Sequence, residues 1–166
     1  MFEIGNFVVY GVSGVCKIDD IKNLAMGGEI RKYYVLKPIF TNNEATIFAP
    51  VDNGKVVMRK IMSREDAERF AEEITSIRPL SVDNEKARKE IYSEAMSEAD
   101  PYKWIGIIKC IERRKMILLR NKKKLAEIDM HYDSLAKTSL YGELSVALGI
   151  SREEAEELVG RAKAAR

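Results

Sequence analysis

The chain has 166 residues, 46% hydrophobic and 33% charged, with a net charge of +2, the make-up of a folded chain of one domain or two small ones and not of a disordered tail. Cys16 and Cys110 lie far apart and outside any C-x-x-C pair, and His131 is the only histidine, which argues against a disulfide framework, a cysteine zinc site or a histidine-rich metal site and points to a reducing cytoplasm. The Met-Phe-Glu-Ile start lacks the basic and apolar regions of a signal peptide, and no apolar run approaches the roughly 20 residues of a membrane span, so a cytoplasmic location without membrane association is expected.

Residues 1–62 read with period two. Strands are expected over 6–11, 14–21, 30–37, 45–51 and 55–62, rich in Val, Ile, Tyr and Phe. Gly27-Gly28 and Asp52-Asn53-Gly54 supply turn chemistry, because Gly and Asn accept positive φ at little cost. In the stretch ATIFAPV, Ala45, Ile47, Ala49 and Val51 share one face while Thr46, Phe48 and Pro50 share the other. Five short strands in so few residues predict a small curled barrel, with Gly11 and Gly14 bending the chain at its first corner. Gly11-Val12-Ser13-Gly14 is not a phosphate loop, since the lysine and hydroxyl pair of that motif are missing.

From Ser63 the pattern becomes helical. Ser63-Arg-Glu-Asp66 forms a capping box for a first helix with Ala67, Phe70, Ala71 and Ile74 on one face, ended by Pro79. Asp83 or Asn84 caps a second through Ala87, Ile91, Ala95 and Met96. Asp100-Pro101 opens a third, with proline at the first helical position. A fourth is expected over roughly 122–136 and a fifth from Ser139 to Leu148, stopped by Gly149 as a C-cap glycine. Ser151-Arg-Glu-Glu154 is a second capping box that opens a terminal helix. The boundary between the two parts falls at Met62–Ser63, giving segments 1–62 and 63–166.

No catalytic constellation emerges. A cysteine nucleophile would need His131 as its base, and both cysteines sit inside apolar patterns where packing is the ordinary role. The chain is therefore expected to be non-enzymatic, without cofactor or metal. Residues 103–124 hold nine basic side chains (Lys103, Lys109, Arg113, Arg114, Lys115, Arg120, Lys122, Lys123 and Lys124) against one acid, Glu112. Such a single-signed cluster points to an anionic partner. At 100° per residue, Lys109, Arg113 and Arg120 fall within about 40°, a face suited to phosphates. Trp104, Ile107, Ile108, Ile111 and Leu118 gather within about 100° on another face. That stripe gives Trp104 two readings: the head of an apolar face in the helical core, or an aromatic wedge at a domain tip beside Lys103.

Phe2, Gly5-Asn6, Val8-Val9-Tyr10-Gly11 and Gly14 follow the entry pattern of a known family, and Tyr33-Tyr34-Val35-Leu36, TIFAP and VVMRKIMS continue it. The chain resembles the CarD/CdnL-type bacterial transcription regulators, whose first domain is shared with transcription–repair coupling factor. The resemblance implies an α+β, two-part protein: a small Tudor/SH3-like β barrel that docks on the RNA polymerase β subunit, then an all-α helical bundle touching promoter DNA. It implies a monomer that modulates open-complex stability. Docking would use the edge strand Thr46, Ile47, Phe48, Ala49 and Pro50. DNA contact, not sequence-specific, would use Lys103, Trp104, Lys109, Arg113, Arg114 and Arg120. The alternative is a polymerase-binding protein–protein adaptor without productive DNA contact. Three features depart from the family pattern. Asn6 and Gly11 replace Asp and Pro, Phe48 stands where some members have arginine, and Ile105-Gly106-Ile107 follows the tryptophan in place of a basic pair.

Overall fold

The computed structural model describes residues 1–41, 44–52 and 54–165, so the turn expected at Asn53 lies partly outside the described residues. Five strands come first: β1 (Phe7–Tyr10), β2 (Val15–Met26), β3 (Glu29–Pro38), β4 (Ile47–Pro50) and β5 (Met58–Lys60). They form one antiparallel sheet in the order β4-β3-β2-β1-β5. Helices α1 (Arg64–Glu73), α2 (Arg88–Ser97), α3 (Pro101–Arg120), α4 (Glu127–Leu148) and α5 (Arg152–Ala164) follow. The α+β, two-part organisation expected from the sequence is what the chain adopts. Among the described residues, no helix is long and apolar enough to cross a membrane.

Alternation sorts the sheet into two faces. Val8, Cys16, Ile18, Tyr34, Leu36 and Ala49 form one apolar interior, with Phe2, Ile47, Val51 and Met58 packed against it. Val9 and Val15 are register partners that point the other way and belong to the helical core instead. The strands therefore feed two cores at once, and the helices rest directly on the sheet. The ladder ends at β4 and β5, leaving two edges.

Several boundaries differ from expectation. β2 and β3 run to Met26 and from Glu29, so the hairpin arm is longer than the apolar pattern indicates; Gly27 and Gly28, at φ 64° and 85°, close it as a two-residue turn. Its outer residues are exposed, which is why hydrophobic alternation stops short of its tip. The strand expected over 55–62 shrinks to β5. The two helices expected over 122–136 and 139–148 are one continuous α4, because Lys137-Thr138-Ser139 contains no breaker and Ala136, Ser139, Leu140 and Glu143 keep a buried face in phase. Asn84 caps a short 3-10 turn over Glu85–Ala87 and α2 itself starts after it at Arg88 without a side-chain cap, whereas the other caps stand at the expected residues. Ser63 accepts from Asp66 N–H, Asp100 from Tyr102 N–H, Ser151 and Glu154 close a reciprocal box, and Gly149 ends α4 at φ 66°.

Gly11 and Gly14 bracket the turn between β1 and β2, at φ 46° and 69°. The replacement of proline at position 11 thus changes the backbone path, since proline is confined to φ near −65°. At Gly14 an added Cβ would stand 3.0 Å from Ser139 Oγ on α4. Gly14→Ala should cost about 1–3 kcal/mol of stability through backbone strain and this contact, read as a lowered thermal midpoint. A midpoint equal to wild type would remove the close approach of this turn to α4 as a constraint on the fold.

Candidate functional site

The register of β4 against β3 fixes which of its backbone groups are free. Val51 N–H donates to the Lys32 carbonyl at 3.0 Å, and the pairing continues through Ala49↔Tyr34 and Ile47↔Leu36. Bonding pairs alternate in an antiparallel ladder, so Val51, Ala49 and Ile47 bond inward to β3 and Phe48 and Pro50 turn their backbone outward. Pro50 has no N–H to offer, which makes the Phe48 N–H the strand's one outward donor, beside the Phe48 and Pro50 carbonyls. Side chains follow the expected alternation: Ala49 is buried and Ile47 half-buried, while Phe48 is 42% exposed. Thr46 is exposed and lies one residue before the strand. A cleft of ≈ 570 Å³ opens beside this edge, with Ala45 and Ile47 on one wall and Thr138 and Arg152 on the other.

The six helical residues do not form one surface. Trp104 is fully buried in the helical core, 5.7 Å beneath the Arg59 guanidinium. Of its two readings, the geometry favours the core: a wedge would have to leave a packed site. The reason lies in α3, which turns Trp104 inward with Ile105, Ile107 and Ile108 while its first-turn neighbours Tyr102 and Lys103 face solvent. Lys109 donates to the carbonyls of Ile74 and, at 2.7 Å, Ile77; burial, reinforced by the charge of Lys163, lowers its pKa. Arg114 is held 2.8 Å from Glu85 and 3.6 Å from the fully buried Asp129. Lys109 and Arg114 thus spend their charge inside the protein. Lys103 lies 4.0 Å from Glu98 at the surface. Arg113 and Arg120 are exposed and form no ion pair among the described residues.

Arg113 and Arg120 instead line a groove of ≈ 680 Å³ with Arg78 and Lys163, two cations that the linear charge cluster does not include. Lys163 is paired to Glu112, the only acid on the groove wall among the described residues.

Two buried carboxylates also escape sequence reading. Asp129 accepts from Tyr92 O–H at 2.9 Å and lies 3.1 Å from Arg88 Nε, joining α2, α3 and α4. Arg114, then Arg88, hold the nearby Glu85 carboxyl below its ordinary pKa. Glu143 receives both Arg59 terminal nitrogens at 2.6 and 2.7 Å and the Met62 N–H at 2.9 Å. The available signal was an acid standing among the apolar core positions Leu140 and Leu144.

Both cysteines are buried, and desolvation pushes the Cys16 thiol up to about 12 and also raises Cys110. Among the described residues, no group of three or more His, Cys, Asp or Glu side chains is placed to hold a metal ion.

The site as a whole is a small antiparallel sheet with the proline-marked β4 at its edge, packed on a helical bundle. Residues 2–62 match the family model described as the CarD-like/TRCF RID domain. That match covers the β part of the chain, and the family it describes is one of polymerase-interacting domains.

Proposed function

We propose that this protein is an RNA polymerase-binding transcription regulator, which docks on the polymerase β subunit through the β4 edge and contacts promoter DNA through its helical part. The observation that carries the reading is the family match over residues 2–62 together with a β4 edge whose Phe48 N–H and C=O are unused. An incoming strand bonds to such groups in register, and alternate side chains such as Phe48 supply selectivity. Docking then raises the local concentration of DNA around a weak basic surface, so modest phosphate contacts suffice to shift open-complex stability.

Phe48→Pro tests the docking step. The substitution deletes an N–H that the β3 ladder does not use, so the fold should persist with a near-native thermal midpoint. Association with a polymerase β-subunit fragment should weaken by about tenfold, the worth of one interfacial hydrogen bond and the steric block of the ring. Unchanged association by the folded variant rules out strand addition at β4.

The adaptor reading draws on a separate observation, the internal commitment of Trp104, Lys109 and Arg114. It predicts that neutralising Arg113 and Arg120 leaves promoter opening unchanged while polymerase binding persists.

A further inference from the structure

Four residues of α3 form a single stripe: Arg113, Met116, Ile117 and Arg120 stand at i, i+3, i+4 and i+7 and fall within about 100° of one another. Met116 and Ile117 are 58% and 53% exposed, and Leu119 beside them is 62% exposed. Neighbouring apolar side chains this open to water mark a surface that a partner covers. The surrounding charge states what kind of partner. From Arg113 to Ala126 the sequence carries no acid, while Lys115, Lys122, Lys123 and Lys124 add to the two arginines. Arg78, across the groove, likewise forms no ion pair among the described residues.

We propose that the C-terminal half of α3 and its turn into α4 are the nucleic-acid contact of this protein. Met116 and Ile117 seat against an unstacked or kinked base step, and Arg78, Arg113 and Arg120 hold the flanking phosphates. The proposal deepens the reading above and rests on it for the promoter setting. Methionine and isoleucine are among the apolar side chains that lever into base steps of bent DNA. The seven helical steps from Arg113 to Arg120 span about 10 Å, close to the rise of three base pairs, so cations bracket the step that the apolar pair meets. The concave wall between α3 and residues 75–79 favours a nucleic-acid strand over a membrane, because a flat lipid surface does not reach cations inside a groove. The contact lies about 18 Å along α3 from Trp104, at the opposite end of the helix.

The test uses the full chain without polymerase, titrated against a labelled duplex and the same duplex with a central unpaired segment. Wild type should favour the unpaired probe severalfold. Met116→Gln/Ile117→Gln should lose that preference while keeping duplex affinity within about twofold, since phosphates supply non-specific binding. Arg113→Gln/Arg120→Gln should weaken both probes by about tenfold and reduce the salt dependence by about two charges. The substituted side chains are exposed, and circular dichroism verifies that both variants fold. The proposal is overturned if wild type binds neither probe at low salt, if both variants bind as wild type does, or if only anionic phosphatidylserine vesicles or an acidic protein are retained. A failed β4 docking would leave this assay untouched, and a failed assay would leave docking intact, so the two readings fail separately.

Discussion

Glu143→Ala should lower the free energy of unfolding by about 2–4 kcal/mol, the cost of leaving a part-buried Arg59 guanidinium and the Met62 N–H without their carboxylate. Glu143 is fully buried on α4 and meets Arg59 on β5 through two parallel N–H···O bonds. The same carboxylate accepts the Met62 N–H, where the sheet hands over to α1. Arg59 also donates from Nε to the Ala99 carbonyl at 2.8 Å and from Nη1 to the Lys60 carbonyl at 3.1 Å. One ion pair thus ties the last strand, the linker, the α2–α3 turn and α4. Urea denaturation followed by tryptophan fluorescence is a suitable readout, because Arg59 covers the single indole. The double variant Arg59→Met/Glu143→Leu should recover most of the loss, since apolar groups of similar volume replace a desolvated pair at little net cost. An alanine variant within about 0.5 kcal/mol of wild type would show that the junction is held by apolar packing alone.

This junction also shows where sequence reading reaches its limit. Period-two alternation located the β part, and capping chemistry at Ser63, Asp100 and Ser151 located three helix starts, because each signal is carried by residues close in sequence. The face assignment of β4 survived for the same reason. Pairings such as Arg59 with Glu143, 84 positions apart, leave no periodic trace. The basic cluster was legible as charge but not as surface. Counting residues treats Lys109 and Arg113 alike, although one is bound to carbonyls of the 74–77 segment and the other faces open groove. Arg78 and Lys163 join that groove from distant elements, which only the fold brings together. The helical wheel placed Trp104 on the apolar face, and the structure supplies what the wheel lacks, namely that α3 turns Trp104 inward while Tyr102 and Lys103 face solvent.

Trp104→Ala should cost about 3–5 kcal/mol, through lost burial and the cavity that its neighbours only partly fill. The residue is among the largest fully buried side chains, and its indole N–H has no protein acceptor among the described residues. Trp104→Phe should therefore cost less, about 1–2 kcal/mol, since an aromatic face remains under Arg59 and an unpaired buried donor is removed. The pair of variants separates packing from direct action on DNA. With Trp104 acting through packing, Trp104→Phe supports promoter opening as wild type does, and any defect of Trp104→Ala tracks its unfolded fraction and fades on cooling below its thermal midpoint. With the indole acting on DNA, Trp104→Phe stays folded and polymerase-bound yet loses opening. That second outcome would require α3 to release a fully buried ring from the core, and the Arg59–Glu143 pair above it would have to open as well. An indole engaged with DNA would then be accompanied by loss of the fluorescence environment that Arg59 provides, an observable that the packing role does not move.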